Sequence, residues 1–195
     1  MKKIFLVLLL LALSCNNEPI NVDVLISGGT IHDGSGDKGY IGNVAIKNDT
    51  IFYVGKKNNF LANQTIDATG KVVSPGFINM LSWGYNTLMQ DGRSLSDLKQ
   101  GVTLEVFGEG TSPGPRGSIR NNNYVSFGEA MEKLELSGVS TNIASYLGSA
   151  TVRIQEVGFA NRKATSEEMN SMKNIVRIAR EEGATVSYTH LTLPT

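Results

Sequence analysis

Side chains that could contact a substrate are concentrated in the segment KVVSPGFINMLSWGYN, residues 71–86. Asn79, Ser82 and Tyr85 each carry a group that can hydrogen-bond a bound molecule. Trp83 offers a large apolar face with one N–H donor, which suits stacking on a ring. Ordinary core packing explains Trp83 at least as well, so the segment alone indicates a binding surface and no particular reaction.

A Gly- and Pro-rich loop, EGTSPGPRGSIRNNN, supplies the charged candidates. Arg116 and Arg120 could pair with a substrate carboxylate, because a guanidinium presents two parallel N–H groups to it. Glu109, as a candidate catalytic residue, could donate a carboxylate to a hard or borderline metal ion. The alternative for all three residues is that they are merely solvated.

Histidine, a common nitrogen ligand of metals, is scarce, because the chain contains only two. His32 lies at the edge of the polar loop HDGSGDKGY with no second ligand at a chelating spacing, so we interpret it as an ordinary loop residue. His190 belongs to the tail VSYTHLTLPT, residues 186–195, which matches one reading frame of a sequencing adaptor. We interpret the tail as adaptor read-through and exclude it; the alternative is a genuine β-prone tail.

Composition indicates a folded chain that lacks the charge pattern of a nucleic-acid binder. The 195 residues are 41% hydrophobic, which is enough to bury a core, and Lys+Arg and Asp+Glu both number 18. No long run of one charge occurs. We therefore expect no nucleic-acid partner.

The N-terminus, MKKIFLVLLLLALSC, is typical of an exported bacterial lipoprotein. Its apolar run is too short to cross a hydrocarbon core of about 30 Å, and a signal peptide over residues 1–15 is predicted. Cys15, the only cysteine, stands where a lipobox cysteine is acylated, with Ala12 in place of the usual leucine. The sequence predicts lipidation at Cys15 and a lipid-anchored place in the cell envelope, periplasmic or surface-facing. The alternative is a soluble secreted protein with an incidental thiol.

The rest of the chain divides into a β-rich part and an α/β part. Over residues 21–74, short alternating strands and turn residues predict a small antiparallel β-sandwich segment. Over residues 75–185, strands alternate with helices, which predicts a parallel sheet of βα units. The predicted strands of this second part are residues 77–83, 102–108 and 141–148.

The clearest predicted helix spans residues 165–183. Thr165 is its N-cap, Glu168 completes a capping box, and Gly183 ends it. Its apolar residues form one stripe that we expect to pack in the core, namely Met169, Met172, Ile175, Val176 and Ala179. Shorter helices are predicted over residues 94–101 and 126–138.

Three βα units can be identified, whereas an eight-fold barrel needs about 250 residues. The sequence therefore predicts the first part of a (β/α)8 TIM-type barrel, incomplete in this chain. We expect an N-terminal fragment that does not turn over substrate by itself.

Five segments in order resemble the amidohydrolase superfamily and, within it, the N-acyl-D-amino-acid deacylases (D-aminoacylases). They are DVLISGGTIHDGSGD, GNVAIKNDTIFYVG, IDATGKVVSPGFIN, LKQGVTLEVFGEGTSPGP and NIASYLGSATVR. The resemblance, over residues 22–183, implies a barrel hydrolase with a small β-sandwich and a zinc ion held partly by His-x-His after the Pro-Gly-Phe-Ile turn. Zinc lowers the pKa of its bound water to about 7 and so supplies hydroxide to attack an amide carbonyl.

The sequence departs from this pattern at the metal. Leu81 and Trp83 occupy the two histidine positions, and neither side chain can ligate a metal. Glu109 and Gly110 lie closest to the position of a cysteine ligand, and Ser149 stands where the family has the histidine of Gly-His-Gly. Ser149 is thus a further substrate-binding candidate. The resemblance implies a zinc cofactor, but two of the positions that would ligate it are lost. The identity of any cofactor is therefore unknown from the sequence.

Three functions remain after these observations. The first is a hydrolase of carbon–nitrogen bonds in non-peptide amides, with N-acyl amino acids or related amides as small-molecule partners and a rebuilt site. The second is a catalytically inactive relative that keeps the barrel as a binding lipoprotein. The third is a β-rich envelope scaffold lipoprotein. The resemblance favours the first function, and the local residue chemistry favours the second.

Overall fold

The computed structural model describes residues 18–117 and 123–185, together with the backbone of Ser187–Tyr188. The predicted signal peptide, Cys15, Arg120 and His190 lie outside these residues. The chain forms two compact units, and the boundary falls between Pro75 and Gly76. No helix in the described ranges combines the length and apolar character needed to cross a membrane.

The first unit is a five-stranded sheet in the order β3-β2-β1-β4, with β5 also paired to β1. The long strand β1 pairs with β2 along one edge and with both β4 and β5 along the other. Its buried apolar side chains include Val22, Ile31 and Val44. The strands are β1 (Ile20–Ile31), β2 (Tyr40–Lys47), β3 (Thr50–Gly55), β4 (Phe60–Asp67) and β5 (Val72–Val73).

The prediction of an antiparallel segment is wrong for half of this sheet. The β1–β2 and β2–β3 pairs are antiparallel, but β4 and β5 run parallel to β1. The chain reverses at Asn48, whose backbone is left-handed at φ 52°, whereas residues 56–59 carry it to β4 without reversing its direction. Alternating hydrophobicity predicts a strand but not the direction of its partner, so this feature could not be read from the pattern.

The second unit contains a parallel three-stranded sheet in the order β6-β7-β8. This confirms the predicted parallel arrangement of βα units. The strands are β6 (Phe77–Asn79), β7 (Val102–Phe107), β8 (Asn142–Ser145) and β9 (Leu147–Gly148), and β9 pairs with β10 (Ser187–Tyr188). The helices are α1 (Tyr85–Leu88), α2 (Leu95–Leu98), α3 (Phe127–Ser137), α4 (Ser149–Val157) and α5 (Ser166–Glu181).

Two apolar clusters hold the helices of this unit in place. Phe107, at the end of β7, packs with Leu88 of α1 and Leu134 of α3. Helices therefore cover the face of β7 to which Phe107 points. The second cluster gathers α3, α4 and α5 around Leu147 and contains Phe127, Leu147, Val152, Ile175, Ala179 and Ala184.

Helix α5 forms as predicted. Thr165 and Glu168 exchange both hydrogen bonds of the capping box. Ile175 and Ala179 are buried, and Met172 and Val176 pack against their cluster. Met169 differs from the prediction because it lies in the first turn and remains exposed.

Three other elements differ from the predictions. The predicted strand 77–83 ends at Asn79, and the predicted helix 94–101 is the single turn of α2. Helix α4 was not predicted, because it starts after Gly148 without the side-chain cap that marks the starts of α3 and α5. Helix α3 follows the prediction closely and starts with its own capping box at Ser126.

Candidate functional site

The segment that follows β6 carries the residues singled out in the sequence. It leaves the regular strand after Asn79, but the Ser82 amide still donates to the Val106 carbonyl at 2.9 Å. The backbone of Ser82 thus stays beside β7. Leu81 and Trp83, on either side of Ser82, are 50% and 67% exposed.

A buried carboxylate lies next to this segment. Glu105, in the middle of β7, is only 2% exposed. It accepts hydrogen bonds from the hydroxyls of Ser82 at 2.7 Å, Ser94 at 2.5 Å and Thr141 at 2.9 Å. These donors come from the segment after β6, the start of α2 and the start of β8. One carboxylate therefore connects three separate segments of the second unit through hydrogen bonds.

The backbone of Ser94 is unusual for a residue with a side chain. It adopts the left-handed conformation at φ 47° and ψ 38°, which disfavours an L-residue by about 1–2 kcal/mol. Ser94 is itself buried. Its hydroxyl reaches Glu105 from this conformation, so the short hydrogen bond helps to offset the backbone strain.

The sequence-based prediction missed Glu105, Ser94 and Thr141. A signal was present, because VTLEVF places one acidic residue inside an otherwise apolar strand. A buried acid needs hydrogen-bond donors, but hydroxyls from distant segments cannot be identified from spacing. Glu109, four residues further on, was singled out instead. It lies half-buried in the loop after β7 and does not line either of the two cavities beside Trp83.

The smaller cavity beside Trp83 has a volume of about 220 Å³. Trp83, Tyr85 and Phe107 give it aromatic walls, and Arg116 brings a positive charge. The Arg116 guanidinium lies 4.6 Å from the centroid of the Tyr85 ring, and its Nε donates to the Pro113 carbonyl at 2.6 Å. The Tyr85 and Phe107 rings meet edge to face, with centroids 6.5 Å apart.

The larger cavity, of about 530 Å³, lies on the side of α1 and α2. Its lining is acidic, with Asp91, Asp97 and Glu105, and it also includes Leu81 and Trp83. Asn79, which completes the lining at β6, donates to Asp97 at 3.1 Å. The structure therefore separates a cationic aromatic cavity from an acidic one, with Trp83 lining both.

The remaining candidates fall elsewhere. Ser149 begins α4 and lines a third cavity with Arg153, Lys163 and Met172. The structure thus brings Ser82, Trp83, Tyr85 and Arg116 around one cavity, places Asn79 at the acidic one, and does not bring Ser149 to either.

Gly110, one of the two residues closest to the cysteine position of the family pattern, lies near Trp83. A Cβ atom at Gly110 would stand 4.0 Å from Cη2 of the Trp83 indole. A side chain at Gly110 would therefore start at van der Waals distance from the indole that stands at the second histidine position. Gly110 also has a left-handed φ of 74°, which strains any residue with a side chain.

These residues do not fit the zinc ion that the resemblance implies. Leu81 and Trp83 offer no metal-binding atom on their side chains, and of the two residues closest to the cysteine position only Glu109 carries a carboxylate. Across residues 18–117 and 123–185, no group of three or more His, Cys, Asp or Glu residues is arranged to hold a metal ion.

Comparison with known proteins shows which proteins this chain is similar to. No family model matches the chain. The D-aminoacylase of Alcaligenes xylosoxydans xylosoxydans is 28% identical over 178 residues, which are 83% of this chain and 36% of that enzyme. The N-acyl-D-aspartate deacylase of the same organism is 25% identical over 182 residues, or 87% of this chain and 36% of the relative.

The fold agrees with the sequence comparison. A crystal structure of D-aminoacylase, described as defining a novel subset of amidohydrolases, superposes with a TM-score of 0.78 at 29% identity. The match covers 86% of this chain and 38% of that structure, so the chain spans little more than a third of the length of these relatives. Its homologues are thus D-aminoacylase and the N-acyl-D-amino-acid deacylases of the amidohydrolase superfamily.

Proposed function

We propose that the protein is an amidohydrolase-type hydrolase that acts on carbon–nitrogen bonds of N-acyl amino acids or related non-peptide amides. The observation that carries this proposal is the homology to D-aminoacylase, at 28% identity over 178 residues with a matching fold. Function at the level of the family rests on that homology. The fold also supports a continuation of the parallel sheet into a (β/α)8 barrel.

The rebuilt site is the finer part of the proposal. Leu81 and Trp83 occupy the two histidine positions of the family pattern, so these two positions do not supply a metal-bound electrophile. Trp83 and Arg116 would instead contact the substrate, with Ser82 and Tyr85 beside them. Glu109 remains a candidate catalytic carboxylate, and Asn79 and Ser149 remain candidate substrate contacts.

The test uses the complete gene product. N-acetyl-D-methionine, N-acetyl-D-aspartate and N-acetyl-D-glutamate are each incubated with it, and the free amino acid is measured as new primary amine. The L-enantiomers are the matched controls. Release of amine from at least one D-substrate, absent in a sample boiled beforehand, supports the proposal; no release from any of them under metal-replete conditions contradicts it.

A second candidate function is a binding protein without catalysis. The local residue chemistry favours it, because Leu81 and Trp83 supply no metal ligand at the two histidine positions, while Trp83 and Arg116 line a cavity. This candidate predicts saturable binding of N-acyl amino acids without amine release. Calorimetry on the sample used in the enzyme assay distinguishes it from hydrolysis.

We further propose that the protein is lipid-anchored in the bacterial cell envelope through Cys15. The support is the N-terminal sequence alone, in which the apolar run ends at the only cysteine of the chain.

A further inference from the structure

We propose that the cavity between Trp83 and Arg116 binds a small planar carboxylate, that is, an aromatic or heteroaromatic acid of one ring. The proposal goes beyond hydrolysis, because it requires neither a metal ion nor turnover. It rests on the charge, shape and rigidity of the cavity walls.

The positive charge is fixed before a ligand arrives. Arg116 is held by the Pro113 carbonyl at Nε and by the face of the Tyr85 ring. In the described parts of the chain, the ion pairs involve Arg93, Arg162 and Arg177 and not Arg116. A guanidinium that is already oriented loses little side-chain entropy when it binds a carboxylate.

The charge balance of the cavity selects an anion. None of the described residues that line it is acidic. The larger cavity on the other side of Trp83 carries Asp91, Asp97 and Glu105, and would repel the same ligand. An anion at Trp83 is thus directed to the Arg116 side by Coulomb interactions.

The walls select a flat ligand. The Trp83 indole is two-thirds exposed and offers a surface for stacking, and Tyr85 and Phe107 are the other aromatic residues of the lining. Aromatic pairs gain stability in stacked and edge-to-face arrangements beyond the burial of area. A volume of about 220 Å³ is below the roughly 300–1,000 Å³ of cavities for drug-sized ligands. A single ring with a carboxylate is therefore the size that fits.

The chain provides its own reporter for the test. Trp83 is the only tryptophan in the sequence, so its fluorescence reports on the surroundings of this side chain, and the Arg116 variants assign the signal to the smaller cavity. We expect benzoate to change that fluorescence saturably in the presence of EDTA, with a Kd of about 1 mM or tighter. Benzamide removes the charge and cyclohexanecarboxylate removes the planarity. Each should bind at least about tenfold more weakly than benzoate.

Two variants separate the contributions of Arg116. Arg116→Gln should weaken benzoate binding at least about tenfold. The benzoate affinity of Arg116→Lys should lie between those of Arg116→Gln and the parent chain, because lysine keeps the charge but lacks the planar guanidinium. Arg177→Gln, at an exposed arginine on α5, is the matched control and should bind like the parent. Circular dichroism and the urea midpoint of each variant verify that the fold is intact.

Three results would overturn the proposal. The first is equal affinity for benzoate and benzamide, and the second is undiminished binding by a folded Arg116→Gln variant. The third is binding of inorganic phosphate to the cavity with the same affinity as benzoate, which would show that the cavity is a general anion site. The titration contains EDTA and measures binding only. Its result therefore does not depend on whether the protein is a hydrolase.

Discussion

The hydroxyl of Ser94 donates a hydrogen bond of 2.5 Å to the buried carboxylate of Glu105, and Ser94 holds a left-handed backbone conformation to do so. The favourable contact and the unfavourable backbone belong to the same residue. Substitutions at Ser94 can therefore separate the two contributions.

Ser94→Ala and Ser94→Gly both remove the hydroxyl, but only alanine keeps the steric strain at φ 47°. We expect Ser94→Ala to be less stable than Ser94→Gly by about 1 kcal/mol. Urea unfolding with a common m-value measures the difference. Equal midpoints for the two variants would show that the backbone of Ser94 is not strained in solution.

Removal of Glu105 should be more damaging than any single change among its hydroxyl partners. Glu105→Ala leaves the half-buried hydroxyl of Ser82 and the buried hydroxyls of Ser94 and Thr141 without their acceptor, and we expect the free energy of unfolding to fall by about 2–4 kcal/mol. Glu105→Gln should lose less, because one carbonyl oxygen still accepts. Glu132→Ala, at an exposed position of α3, is the control and should change stability by less than about 0.5 kcal/mol. A change of similar size at positions 105 and 132 would contradict the role assigned to Glu105.

The start of α5 should be sensitive to acid. Two hydrogen bonds from Arg162, together with the Thr165 amide, lower the pKa of Glu168 from 4.5 to about 2. Because the pKa is lowered in the folded state, Glu168 contributes stability above pH 4.5 that is lost as the pH falls towards 2. The stability difference between the parent chain and Glu168→Gln should therefore shrink over this range.

Urea midpoints measured at several pH values test this expectation. Glu167→Gln, the neighbouring exposed position in the first turn of α5, is the matched control and should show the smaller pH dependence. A difference between the parent and Glu168→Gln that is constant from neutral pH down to pH 2 would mean that the Arg162 pair does not persist in solution.

Lipidation at Cys15 should be visible in the expressing cell. Cys15→Ser removes the only thiol in the sequence and should move the protein from the membrane fraction to the soluble fraction. Labelled palmitate should be incorporated into the parent and not into this variant. Ser14→Ala keeps the thiol and should behave like the parent. Absence of label from the parent would contradict lipidation and indicate that the N-terminus is an ordinary cleaved signal peptide.

Local signals in the sequence predicted the elements whose stability is local. The Thr165 and Glu168 pair predicted the start of α5, because a capping box lies within four residues. Alternation of strands and helices predicted the parallel sheet β6-β7-β8. The direction of β4 could not be predicted, because it depends on how residues 56–59 cross to the far edge of β1.

The candidate site was predicted only in part for the same reason. Trp83 and Tyr85 are close in sequence, whereas the stacking of Arg116 on Tyr85 depends on the path of the loop after β7. Glu105 was missed because its donors lie 11, 23 and 36 residues away. Spacing along the chain contains no trace of such a cluster.

The convergence of three hydroxyls on Glu105 also restricts how this protein can evolve. A change at Glu105 alone leaves its three donors without an acceptor, and a change at one donor leaves the buried carboxyl group with fewer hydrogen bonds. Replacement of all four side chains by apolar groups of similar volume would avoid both penalties. Among closely related chains, these four positions should therefore drift as one linked set, with intermediates that are rarely tolerated.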